Sequence, residues 1–191
     1  YNNILKYPNV EFVISESGPN SENDSDYDKT QGAIHLIATV ATLEGRIDKI
    51  FNFEIKDGLG DEKYWGRWGM LTHEKWGTPE IKPRYRAIQF LNNFVGYSPI
   101  ETVGSGSWVK GFAKRNNNSI KILVVNYDEY GKHIESTPIK VVNLPSNKFI
   151  LKRTDFNGDT SSNTVEVIDN TWETTVYLSS NSATIFEIDP S

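Results

Sequence analysis

Two short apolar runs in this 191-residue chain end in carboxylates. "VEFVISE" closes on Glu16, and "IDKIFNFEIKD" closes on Glu54 and Asp57. A carboxylate held at the end of a strand can serve as nucleophile, general base or general acid, because a rigid element fixes its distance from a bound substrate. In parallel α/β architectures the loops after the strands converge on one face, which makes all three carboxylates candidates for one site. Each also has a plain reading as a solvated loop carboxylate. The loop that follows, "DGLGDEKYWGRWGMLTHEKWGTPEIKP", carries Tyr64, Trp65, Trp68 and Trp76. Flat indole and phenol faces stack on the apolar faces of pyranosides, while nearby polar groups take the sugar hydroxyls. The same residues can equally plug one end of a core.

Other chemistries find no support. The chain has no cysteine, hence no disulfide, no thiolate metal site and no thiol nucleophile. His35, His73 and His133 lie far apart with no i,i+4 pair, so no metal centre is expected. "DFNGD", Asp155 to Asp159, has its glycine misplaced for a calcium loop, and no bidentate glutamate follows at the required distance. There is no G-x-S-x-G elbow and no phosphate-cradling glycine loop, and no cofactor is expected. A net charge of −5 without a Lys/Arg cluster argues against nucleic acid. The longest apolar stretch, "AIHLIATVATL", is too short and too polar to cross a bilayer, so no membrane partner is expected.

The elements that must position these residues follow from periodicity. "NVEFVISE" is nearly continuous in apolar residues, as in a strand covered on both faces. From Tyr27 to Glu44 the spacing is helical, with Ala33, Ile34, Ile37, Ala38, Ala41 and Leu43 on one stripe, Asp26 or Asp28 as cap and Gly45 as stop. "IDKIFNFEIKDG" is the next strand, so strand, helix and strand form a βα unit feeding a parallel partner. A second helix begins near Pro83 and places Tyr85, Ile88, Leu91 and Phe94 along one side, with Gly96 beyond its end. After about residue 99 the period becomes two. "SWVKGFAK", "SIKILVVNY", "PIKVVNL", "KFILKRT", "NTVEVID", "TWETTVYL" and "ATIFEID", separated by turn-rich segments, predict an antiparallel β-sandwich. The expected organisation is an α/β part over 1–98 and an all-β part over 99–191.

Taken together, "FVISESGPN", "DKIFNFEIKDG", "WGRWGMLT" and "PRYRAIQFLNNFVG", followed by the all-β tail, resemble the C-terminal part of the clan A glycoside hydrolases, most closely family 39-like β-xylosidases. The resemblance implies the last two βα units of a (β/α)8 TIM barrel with an accessory sandwich beside it. It implies that Glu16 is the nucleophile of a retaining glycosidase, that Phe53 floors the substrate subsite, and that the segment from Trp65 to Leu71 closes the pocket; Phe53, Glu54, Asp57, Trp65 and Trp68 are the expected substrate contacts. Two positions depart from the pattern: Ser17 stands where tryptophan often follows the nucleophile, and Phe53 stands where tryptophan is usual.

A full barrel has eight strands and about 250 residues, whereas two βα units precede the sandwich here. By the resemblance, the acid/base residue lies after an Asn-Glu pair on the fourth strand, upstream of Tyr1. The chain is therefore expected to be an interior piece of something longer, inactive alone and completed by a complementary N-terminal barrel part, with a carbohydrate substrate. The rival expectation is a non-catalytic carbohydrate-binding or scaffold protein derived from the same fold. Secretion follows from the resemblance alone, and nothing in the composition separates it from a cytoplasmic location.

Overall fold

The structure, a computed structural model, describes residues 10–104 and 106–191. The chain runs β1 (Val13–Ser17), α1 (Thr30–Leu43), β2 (Lys49–Asn52) and α2 (Pro83–Leu91). It continues through β3 (Ser98–Ile100), β4 (Val109–Asn116), β5 (Ser119–Asn126), β6 (Glu135–Val141), β7 (Lys148–Asp155), β8 (Thr160–Glu166), β9 (Trp172–Leu178) and β10 (Ser182–Pro190). β1 and β2 pair in parallel with α1 as their connection. Each of the seven alternating runs forms a strand. β3 is an addition, too short and too rich in Ser and Pro for periodicity to reveal.

The strands form a six-stranded antiparallel sheet in the order β3-β4-β5-β10-β7-β8 and a separate two-stranded ribbon of β6 and β9. One face of the large sheet packs Ile120, Ile122, Val124, Phe186 and Ile188 against Trp172, Val176 and Leu178 of the ribbon. The opposite face packs Phe112, Leu123, Val125, Ala183 and Ile185 against Ala33, Ile34 and Ile37 of α1 and Ala87 and Phe90 of α2. The parts over 1–98 and 99–191 thus share a hydrophobic core. β5 lies between β4 and β10 and is apolar on both faces because helices cover one and the ribbon the other. Val124→Asp buries an unpaired charge there and is expected to cost about 4 kcal/mol or more. A variant that melts with the parent in thermal denaturation would contradict this placement.

Two helix expectations need correction. α1 begins at Thr30, and neither Asp26 nor Asp28 caps it: its N-cap residue, Lys29, makes no side-chain cap bond. Asp24 caps the preceding 3-10 turn, and Asp28 is drawn inward by Lys82. In α2 the buried residues are Arg84, Ala87 and Phe90, with Phe94 beyond its end, whereas Tyr85 and Ile88 are half-buried. The face is rotated by one residue because Ala87, which has no exposed surface, lets α2 lie close on α1.

The turn after β5 is organised by one carboxylate. Fully buried Asp128 accepts backbone N–H bonds from Tyr130 at 3.0 Å, Lys132 and His133 at 2.8 Å, and is 2.8 Å from Nδ1 of His133. Burial pushes its pKa up, but the bonds from His133, Lys132 and Tyr130 outweigh this and hold the carboxyl well below the ordinary range. A depressed carboxyl stabilises the fold above the unfolded-state pKa and loses that stabilisation as pH falls through the folded value. The gap in melting temperature between the parent and Asp128→Asn is therefore expected to be constant at neutral pH and to shrink below about pH 4. A gap that widens on acidification would contradict this sign.

Candidate active site

Glu16 stands on an irregularity of β1. Ile14 pairs with Ile50 and Ser17 with Asn52, so three steps on β1 match two on β2. The extra residue breaks the alternation, and Ser15 and Glu16 are both exposed. Such bulges re-aim side chains and are common beside active sites. Beyond the bulge the Phe53 N–H donates to the Ser17 carbonyl at 2.8 Å, which carries β2 along Glu16's own strand to Phe53. The Phe53 ring then meets Trp68, with centroids 5.6 Å apart.

The two loops after the strands are stitched into one rim. The Trp68 indole N–H donates to the Glu22 carbonyl at 3.1 Å, and Asp24 N–H donates to the Gly66 carbonyl at 3.0 Å. Gly66 N–H donates to the Asp28 carboxylate at 2.6 Å, and Arg67 reaches Asn23 Oδ1 at 3.2 Å. The glycines of "WGRWG" make this closeness possible. Gly66 has φ of +76°, and a Cβ on it would lie 2.5 Å from the Asp24 backbone; one on Gly69 would lie 2.3 Å from Asp57. Arg67 lies over Trp68, 4.0 Å from its ring centre, and 3.3 Å from Glu54, which also accepts from Gly58 N–H at 3.4 Å.

The structure brings Glu16, Phe53, Glu54, Trp65 and Trp68 to the same rim, but it gives two of the expected substrate contacts other work. Asp57 is 1% exposed, and Lys82 Nζ binds its two oxygens at 2.8 and 2.7 Å. Gly69 N–H donates to it at 2.7 Å, so Asp57 is an anchor beneath the loop and offers no oxygen to a ligand in this conformation. Trp68 is 8% exposed between Phe53 and Arg67 and serves as the plug. Trp65 is half-buried over Gly60, and Tyr64 is exposed with its hydroxyl on Glu80.

Sequence reasoning missed the charges below the rim. Lys82, fully buried, joins Asp57, Asp28 and the Arg67 carbonyl, the last at 2.8 Å. Arg84 is also buried, with Nη2 at 3.4 Å from the Phe53 carbonyl and no partner for Nε or Nη1 among the described residues. Burial lowers its pKa to about 10, against the opposing charge of Asp57, so it stays protonated at neutral pH. Two buried cations thereby balance two buried carboxylates. The available signal was phase: Arg84 falls in register with Ala87, Phe90 and Phe94 on the buried side of α2. Among the described residues no cluster of His, Asp or Glu could hold a metal ion.

As a sequence the chain matches no protein-family model and no curated protein. In structure it is similar to a glucosidase from Croceicoccus marinus, with TM-score 0.68 and 13% identity over 99% of this chain and 48% of that one. It is similar to a monomeric β-xylosidase from Caulobacter crescentus CB15, with TM-score 0.66 and 15% identity over 96% of this chain and 46% of that one. It is also similar to the GH39 enzyme from Xanthomonas axonopodis pv. citri, with TM-score 0.64 and 15% identity over 97% of this chain and 46% of that one. GH30, GH44 and GH51 enzymes share the likeness. The chain spans a little under half the length of the first of these structures, and what it shares with them is the fold of part of a glycoside hydrolase.

Proposed function

We propose that this chain is the C-terminal portion of a retaining glycoside hydrolase and supplies its nucleophile, Glu16. The observation that carries this reading is the bulge in β1, which turns Glu16 outward beside a rim built from both post-strand loops. In double displacement the Glu16 carboxylate attacks the anomeric carbon as the glycosidic C–O bond breaks. A second carboxyl about 5–5.5 Å away protonates the leaving oxygen and then takes a proton from water, which releases the sugar and restores Glu16. Glu54 is tied to Arg67 and Asp57 is enclosed, so neither suits that role. The proton donor belongs to a complementary N-terminal barrel part, and the substrate is a carbohydrate.

The parallel pair supports the need for that part. Among the described residues β1 and β2 form a two-stranded sheet, with Val13 46% and Phe51 58% exposed. Open edges and bare apolar side chains on strands favour association with further chain. Two measurements test the proposal. A 2-deoxy-2-fluoro aryl glycoside incubated with the complete polypeptide is expected to label a peptide containing Glu16 by mass spectrometry; a label elsewhere removes Glu16 from the mechanism. The 191 residues alone, shown to be monomeric, are expected not to turn over an aryl glycoside. Clear turnover by that sample would overturn the need for a second part.

A further inference from the structure

A second cleft lies away from the rim, between α1 and the start of β4. It has a volume of about 260 Å³ and is lined by one face of α1, including His35, Thr39 and Thr42, together with Trp108, Lys110 and Tyr127. A more polar cleft of about 460 Å³ adjoins it through Thr42 and Lys110. Both volumes fall in or near the range of small-ligand sites.

The first cleft is aromatic and held rigidly. Tyr127 N–H donates to the Trp108 carbonyl at 3.1 Å, so the backbone pairs these two residues just beyond the ladder of β4 and β5. The His35 ring meets the Tyr127 ring edge-on, with centroids 5.2 Å apart. Trp108 stacks on His133 with centroids 4.1 Å apart and planes 16° from parallel, and Asp128 in turn grips His133. A buried carboxylate therefore positions an imidazole, and the imidazole supports the indole.

Polar atoms in the cleft remain unused. Among the described residues the ring nitrogens of His35, the indole N–H of Trp108 and the hydroxyl of Tyr127 have no hydrogen-bond partner, and none is sealed from solvent. Thr39 and Thr42 donate to the His35 and Ala38 carbonyls at 2.9 and 2.8 Å, which leaves their oxygens free to accept. Burial holds His35 neutral, with a pKa lowered to about 4. The Lys110 ammonium is occupied by the Gly106 carbonyl at 2.6 Å. Lys110 has carbonyl partners and no carboxylate partner among the described residues; beside it, stacking surfaces together with uncharged donors and acceptors complement a ligand with apolar ring faces and many hydroxyls.

We propose that this cleft binds a neutral sugar ring of a glycan chain, packed against Trp108 and hydrogen-bonded by Tyr127 and His35, at a place separate from the rim around Glu16. The ligand class comes from the cleft's own chemistry and does not depend on catalysis at Glu16. The test is a titration of the full chain with xylohexaose and with cellohexaose, followed by calorimetry and by the indole N–H signal of Trp108 in 1H–15N spectra. Saturable binding that moves this signal is expected with at least one sugar. Trp108→Ala is expected to weaken binding about tenfold or more, and Tyr127→Phe, which keeps the ring and the fold, about threefold to tenfold. Absence of saturable binding up to about 10 mM of either sugar overturns the proposal. So does binding that Tyr127→Phe leaves unchanged, since that places the sugar elsewhere, including at the rim.

Discussion

Lys82→Met is expected to destabilise the protein by about 3–5 kcal/mol, the range for breaking a buried ion pair from one side. The lysine side chain has no exposed surface, and it joins Asp57, Asp28 and the Arg67 carbonyl. Methionine fills much of the same space, so little of the loss comes from a cavity. What remains is two carboxylates enclosed without their shared cation, and water cannot replace it. Urea denaturation measures the effect. In the double variant Asp57→Asn/Lys82→Met one of those charges is gone, and part of the lost stability should return through their coupling. A single variant within about 1 kcal/mol of the parent would show that the network does not hold the rim together.

Glu16→Gln in the complete polypeptide is expected to lower kcat/KM by about 10⁴-fold, on the order of 5 kcal/mol in the barrier. The amide keeps the shape and the neighbours of the carboxylate but cannot form the glycosyl ester. Stability should hardly change, because Glu16 is exposed and none of the side-chain hydrogen bonds or ion pairs among the described residues involves it. The two readouts together are decisive. Loss of turnover with an unchanged melt assigns chemistry to Glu16; equal loss of both makes it a structural residue, and retained turnover excludes it.

How much of this was legible in the sequence depended on the range of the interaction. The alternating runs from "SWVKGFAK" to "ATIFEID" declared themselves as strands because a two-residue period reports the pleat directly. The apolar stripe of α1 and the stop at Gly45, with φ of +71°, were equally local signals. Glu16 at the end of an apolar run was also visible. That it faces outward was not, because the bulge comes from pairing with β2, and register is a property of two strands at once.

The charged residues divided in the same way. Asp57 read as a rim carboxylate because nothing near it in sequence announces a partner; its cation, Lys82, arrives 25 residues later through the folding of the Trp-rich loop. Trp68 read as a stacking surface because an indole's type does not disclose which face the fold will cover. Asp28 looked like a helix cap until Lys82 and Gly66 came within reach. The sequence by itself determined the two helices, every strand but β3, their order and the candidate carboxylates and aromatics, since those depend on local conformational preference and periodic burial. Only the tertiary structure decided which of those carboxylates and aromatics stay accessible, because desolvation and pairing depend on neighbours that are distant in the chain.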